Sequence, residues 1–334
     1  MGDAPIDAGW LDAGRLDAGL VDAGPLGPGQ VDSAPLEATI RLRGPFDLGM
    51  TVGQIQRGPR DPSARASGTE AWWSWRGTAG STTLHLWAGK GELRARAWGP
   101  GAPGALDGLP TRLGLAPEPG EDELLADPGL VGQLQRRLAG LRMVRTGAVF
   151  DALVPTVLEQ KVPTPEALAA YRSLALALGA PAPGPGLTRL PILPADLAGM
   201  AYYQLHQHGI ERRSADTLIG AARRAARLEA LVAEAPERAR ALLMTLPGVG
   251  PWTAAEVVRR SHGDGDSLAV GDYHHPKTVC WFLAGERGGT DQRMLELLEP
   301  YRPHRMRLVV MLGLAGLQVP RRGPKMQLRR ITNI

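Results

Sequence analysis

The chain has 334 residues, 43% of them hydrophobic and 22% charged, enough to bury two or three domain cores. Its single cysteine, Cys280, excludes an intrachain disulfide, a four-thiolate zinc site and a cubane iron–sulfur cluster, and suggests a reducing, cytoplasmic setting. No run of eighteen apolar residues occurs, and the first thirty carry neither a basic n-region nor an apolar h-region, so neither a membrane span nor secretion is expected.

The net charge of +4 conceals a segregation. Residues 1–37 carry seven acids and one base, which leaves 37 bases against 27 acids in residues 38–334. A basic body favours a polyanionic partner such as nucleic acid, and so a nucleoid-associated place in a bacterial cytoplasm.

Along the chain, Asp-Ala-Gly recurs at Asp7, Asp12, Asp17 and Asp22. A period of five fits neither helix nor strand, so residues 1–37 read as a disordered acidic tail, or as an electrostatic lure that competes with DNA for the basic body. From Leu36 the pattern alternates: residues 36–43, 82–87 and 92–98 are apolar at every second position and predict antiparallel strands. The last two are joined by Ala88-Gly89-Lys90-Gly91, which suits a hairpin. Trp72, Trp73 and Trp75 offer either a stacking surface for nucleic acid or core packing.

After the Pro/Gly-rich stretch 100–120, periodicity and punctuation predict helices over 121–140, 146–160, 164–179, 195–208, 211–232, 236–244, 251–261, 275–284, 291–299 and 304–316. The close, 321–334, carries five bases and no periodicity, and reads as a phosphate-contacting or a solvated tail. Asp264 and Asp266 fall in a Gly-rich loop and read as solvated turn residues. Asp151 and Asp216 could orient neighbours, with nothing local in the sequence to support it. Adjacent His274 and His275 point apart on a helix, and no H-E-x-x-H spacing exists, so metal catalysis is not expected.

The informative segment is Leu246-Pro247-Gly248-Val249-Gly250-Pro251-Trp252-Thr253-Ala254. Two glycines around one apolar plug permit a tight turn and close approach of the backbone to a partner. Pro251 is preorganised for the first helical position. Backbone N–H groups exposed at a helix N-terminus, reinforced by the aligned peptide dipoles, form a cradle for phosphate. Such a hairpin grips a DNA backbone without reading sequence. A bare G-V-G equally suits any tight αα-hairpin.

On this nonapeptide, with Val270-Gly271-Asp272-Tyr273-His274-His275-Pro276 about twenty residues on, the chain resembles the helix–hairpin–helix DNA glycosylase superfamily. Within it, the resemblance is to the DNA-3-methyladenine glycosylase II (alkylbase) branch. Residues 149–162, 209–215 and 301–305 extend the resemblance over most of the chain. It implies an α+β protein: an acidic tail at 1–37, a small antiparallel α/β domain at 38–120, an all-α glycosylase core of two helical subdomains at 121–320 with the hairpin unit at 236–261, and a basic tail at 321–334.

The resemblance also implies a role for each candidate. Asp272 takes the place of the catalytic aspartate. It also precedes a helix, where Asp is a favoured N-cap, and both roles are compatible. Leu246, Gly248, Val249, Gly250 and Thr253 form the DNA-holding turn. Gln160 or Lys161 fills the gap left by the extruded nucleotide, or is an ordinary polar helix end. Phe150, Trp252 and Tyr273 face the base, with Trp252 equally suited to bracing the hairpin. The expected partner is damaged double-stranded DNA, with no obligate protein partner, no cofactor, and room for a structural cation at the hairpin carbonyls.

Two departures qualify this. Trp252 stands where strand-cutting relatives place a Schiff-base lysine, which favours a monofunctional hydrolase. Glu256 and Gly313 stand where the branch has Tyr and Trp. The expected reaction is hydrolysis of the N-glycosidic bond of alkylated purines of the 3-methyladenine type after base flipping. Asp272 stabilises the oxocarbenium-like sugar and orients water. The alternatives are oxidised or deaminated bases on the same scaffold, or a non-catalytic DNA-backbone-binding protein.

Overall fold

The computed structural model describes residues 34–77, 79–116, 124, 126–317 and 319. Nearly all of the acidic repeat, the basic tail and the start of the helix expected at 121–140 lie outside the described residues. The fold is α+β, as expected. Among the described residues no helix is long and apolar enough to cross a membrane.

The N-terminal part is a five-stranded antiparallel sheet: β1 (Leu36–Arg41), β2 (Ala64–Ser67), β3 (Glu70–Gly77), β4 (Gly80–Gly89) and β5 (Glu92–Trp98), in the order β1-β5-β4-β3-β2. Helices α1 (Leu48–Val52), α2 (Ala102–Asp107) and α3 (Leu109–Arg112) pack on one face. The alternation read at β1, β4 and β5 is real: Leu84, Leu86 and Leu93 point into the core and His85, Arg94 and Arg96 away from it. Lys90 and Gly91, at φ 51° and 76°, make the two-residue turn between β4 and β5.

The alternation signal did not reveal β2 and β3, because β3 is covered on both sides. Trp73 and Trp75 enter the core beneath the sheet, while Trp72 faces the other way. There it stacks on His85 at 3.9 Å and lies 5.9 Å from Trp98, under a loop carrying Leu187 and Leu190. Gly186 makes this cover possible, since a Cβ there would come within 2.2 Å of the Trp72 ring. Of the two readings of the tryptophans, packing is the one the structure supports.

The helices that follow are α4 (Leu130–Arg137), α5 (Val149–Leu158), α6 (Thr164–Leu178), α7 (Pro194–Ala198), α8 (Tyr202–His206), α9 (Arg212–Ala222), α10 (Ala225–Glu229), α11 (Pro236–Leu243), α12 (Pro251–His262), α13 (His275–Ala284), α14 (Asp291–Leu298) and α15 (Arg305–Leu314). The helix expected at 195–208 is two, because Gly199 ends α7. That expected at 211–232 breaks after Ala222 and folds back, which lets the Glu229 carboxylate accept the Val149 and Phe150 amides at 2.9 and 2.8 Å and cap α5.

Two helical cores result. One joins α5, α6, α9, α11 and α12 through residues such as Phe150, Leu153, Leu218, Leu243 and Val257. The other joins α4 with α13, α14 and α15 through Leu134, Val279, Met294, Met306 and Leu308. Fully burying a leucine or phenylalanine stabilises by about 1.5–3 kcal/mol, so each core is a rigid platform.

The chain crosses between the cores in the loop 263–274. Asp266 there is not the solvated turn residue expected from sequence. It is buried and takes a two-pronged contact from Arg305 at 2.7 and 2.8 Å and a third bond from Arg302 at 3.0 Å. The partner lies 39 residues away, beyond any local signal. Asp264 accepts from the Asp266 amide and from Ser267.

Candidate active site

The hairpin between α11 and α12 is built as the sequence suggests. Gly248 adopts φ +85°, and a Cβ on it would lie 2.0 Å from Thr217 Oγ1 of α9, so both the conformation and the space demand glycine. Val249 turns inward and joins the first core, with Leu246 packed beside it. Gly250 is the residue before α12 and has open space where a Cβ would be. The amides of Gly250, Trp252 and Thr253 have no acceptor among the described residues. Three N–H groups at the positive end of a twelve-residue helix are therefore left without an acceptor among the described residues.

Asp272 lies across the seam, on the loop that leads into α13. Its Oδ1 accepts the His274 and His275 amides at 2.7 and 2.9 Å, so it does cap α13. Its Oδ2 accepts the Trp252 indole N–H at 2.9 Å, which ties it to the first turn of the hairpin helix. The carboxylate is 17% exposed and borders an open cleft shared with Gly271, Tyr273, Lys277 and Asp291. The nearest cationic candidate is His275 Nδ1 at 3.9 Å, and no lysine or arginine pairs with Asp272 among the described residues. Three N–H donors thus hold the carboxylate in a fixed orientation.

The other candidates are distributed unevenly. Trp252 braces Asp272. Tyr273 is exposed, and one face of its ring is taken by the Lys277 ammonium at 3.4 Å. Phe150 is a correction: it is 1% exposed in the first core, with no face open to a base, because α5 is apolar on nearly all sides. Gln160 is not a free wedge, since its amide donates to Gly248 O at 3.0 Å and Thr253 Oγ1 at 2.8 Å. It locks the end of α5 onto the hairpin. Lys161, next along, is exposed at φ 56°. Thr253 is buried, and its hydroxyl is taken by Gln160. Gly313 is exposed, with open space around it.

Glu256, one turn into α12, is buried with Arg259 at 2.9 Å and Arg260 at 2.6 Å. Burial alone would raise its carboxyl, but the two guanidiniums outweigh it and hold the group well below the usual range. Arg260 also approaches Glu159, which pairs with Arg57 of the sheet-bearing part at 3.3 Å. A buried charge network therefore occupies this depth and links the hairpin helix to α5 and the sheet-bearing part.

Sequence reasoning missed one group and found no support for another. Asp291, the first residue of α14, borders the same cleft as Asp272 and accepts the Gly271 amide at 3.1 Å. Asp151 borders a cavity between sheet and helices together with Arg57, Tyr171 and Arg260. Burial, with the nearby Glu229 charge, pushes its carboxyl up to about 7. Neither carries a local pattern; a helix-capping Thr290 before Asp291 was the only available hint. Among the described residues no group of three or more His, Cys, Asp or Glu side chains could hold a metal ion.

No protein-family model matches the sequence, and no curated protein matches it. Solved structures do match in fold. A 3-methyladenine DNA glycosylase from Archaeoglobus fulgidus superposes with a TM-score of 0.72 at 16% identity, covering 84% of this chain and 100% of that one. The Clostridium acetobutylicum 8-oxoguanine glycosylase/lyase, in complex with double-stranded DNA containing cytosine opposite 8-oxoguanine, superposes with a TM-score of 0.66 at 12% identity, covering 86% and 99%. Its apo-form gives the same TM-score. The sheet, both helical cores and their order along the chain are thus those of a fold shared by alkylated-base and oxidised-base glycosylases.

Proposed function

We propose that the protein is a monofunctional DNA glycosylase that hydrolyses the N-glycosidic bond of alkylated purines in duplex DNA. The observation that carries the reading is the placement of Asp272: a carboxylate pinned by the Trp252 indole to the first turn of a helix whose free amides suit a phosphate. Grip and charge are thereby fixed relative to one another.

Catalysis follows from that geometry. The free amides and helix dipole hold a phosphate near the lesion, and the exposed Lys161 contacts the duplex. The damaged nucleotide leaves the stack, at a cost of about a few kcal/mol that a lesion lowers. As the bond between C1′ and the base nitrogen breaks, its electron pair goes to the base and positive charge grows on the sugar. Asp272 stabilises that charge and orients the water whose oxygen bonds C1′, the water's proton passing to solvent. A base alkylated at a ring nitrogen is already cationic and departs neutral, so no general acid is needed. Trp252 provides no amine for a Schiff base, so the product is an abasic site with the strand intact. Main-chain carbonyls of the hairpin offer a place for a structural cation, although Leu246 O and Gly248 O each already accept one hydrogen bond.

The test is to incubate duplexes containing 3-methyladenine, hypoxanthine or 8-oxoguanine with the protein and develop strand breaks with alkali. Release of 3-methyladenine in preference to the others supports the reading. Preferential release of hypoxanthine or 8-oxoguanine moves the substrate to deaminated or oxidised bases, and breaks before alkali contradict the monofunctional assignment. Binding without any release leaves a DNA-backbone-binding protein.

A further inference from the structure

Asp291 has no part in the reaction described so far, yet three observations converge on it. Its Oδ2 accepts the Gly271 amide at 3.1 Å, and Gly271 stands at φ +90°, the left-handed turn that immediately precedes Asp272. Its Oδ1 is buried with no hydrogen-bond partner among the described residues, an arrangement that costs stability. And the chain leading to it is pressed against α13: a Cβ on Gly289 would fall 2.3 Å from Pro276 O and 2.5 Å from Cys280 Sγ. The close contact brings α14, and with it Asp291, up to the turn that presents Asp272.

We propose that Asp291 is a positioning residue for Asp272. Three donors orient the Asp272 carboxylate, but two of them are amides of its own loop, and the third, Trp252, belongs to the other helical core. On its own side of the seam the turn is held within the loop by the Asp272 amide on Ala269 O at 3.3 Å, and from a separate element by the Gly271–Asp291 bond. Without it the turn relaxes from its left-handed conformation, Asp272 shifts relative to the hairpin, and the carboxylate no longer meets the developing sugar cation at full strength. Displacements on the order of 1 Å at such a group cost roughly 100-fold in rate.

The inference rests on the glycosylase reading, and one set of assays separates the two. Single-turnover base release and affinity for an abasic-site duplex are measured for wild type, Asp291→Ala, Asp291→Asn, Asp291→Glu and Arg293→Ala. Arg293 lies on the same helix and ties it to α13 through Glu286, away from the cleft, so its removal reports general loosening. Expected are a loss of roughly 10- to 100-fold in rate for Asp291→Ala with duplex affinity within about threefold, rates within about threefold of wild type for Asp291→Asn, which keeps an acceptor for Gly271, and for Arg293→Ala. Should the alanine variant not fold, Asp291→Glu, which displaces the acceptor by one methylene, carries the same expectation of a lowered rate. An unchanged rate in Asp291→Ala (or in Asp291→Glu where alanine does not fold), an asparagine rate as low as alanine's, or an equal loss in Arg293→Ala overturns the positioning role while leaving the glycosylase reading intact. Absence of base release by wild type overturns both.

Discussion

The two helical cores contribute unlike things to the site. The core containing α11 and α12 offers main chain: three amides, a helix dipole and two glycines, with Val249 and Leu246 anchoring the turn from below. The core containing α13 and α14 offers side-chain charge, Asp272 and Asp291, on a loop and a helix start. Backbone is indifferent to sequence and suits a partner gripped anywhere along its length, whereas a carboxylate acts at one point. On the proposed function, the division places non-specific holding on one side of a seam and chemistry on the other, with the Trp252–Asp272 bond joining them.

Substitutions on the two sides should therefore fail differently. The largest loss of stability is expected in the hairpin core from Glu256→Ala, which strands Arg259 and Arg260 in the interior and should cost about 3–5 kcal/mol in denaturant unfolding. Because the folded Glu256 carboxyl lies below its ordinary value, the pair's contribution is complete above about pH 4.3 and disappears only as pH falls through the lower, folded value. Next, Gly248→Ala forces both a clash with Thr217 and a left-handed alanine, at about 1–3 kcal/mol, and should weaken binding to duplexes of every sequence alike. Adding Thr217→Ala should recover part of that loss.

A smaller effect concerns the boundary between sheet and helices. With its folded carboxyl raised to about 7, Asp151 burdens the fold increasingly as pH climbs from the unfolded value toward 7. Asp151→Asn should therefore raise the melting temperature by roughly 2–4 °C at pH 8 and leave it unchanged at pH 4. The slightest change is Lys161→Ala, expected to reduce the salt dependence of DNA binding by about one unit of slope without altering fold stability. A Lys161 variant with an unchanged slope would remove that residue from the DNA-contacting surface.

Much of this was legible in the sequence, and the limits have physical causes. β4 and β5 declared themselves by alternation, α12 by Pro251 at its start, and α13 spans the expected 275–284. β3 did not, because tryptophans cover both of its faces. The hairpin and Asp272 were readable because phosphate cradles and caps are local. Asp266, Gln160 and Asp291 were misread or missed because their partners lie 39, 88 and 20 residues away, and only the fold brings them together. Phe150 was misassigned for the complementary reason: a motif match places a residue on a helix but does not say which way its ring turns.

The most direct test of the account is single-turnover release of 3-methyladenine by Asp272→Asn beside wild type, with duplex affinity measured on the same samples. The asparagine Oδ1 can still receive the His274 and His275 hydrogens and cap α13, while the Trp252 bond is lost because the amide nitrogen only donates, so the fold and the grip should persist while the rate falls by roughly 100- to 10,000-fold. Equal release by the two proteins would show that no charge at position 272 is needed, and would contradict the assignment on which the rest depends.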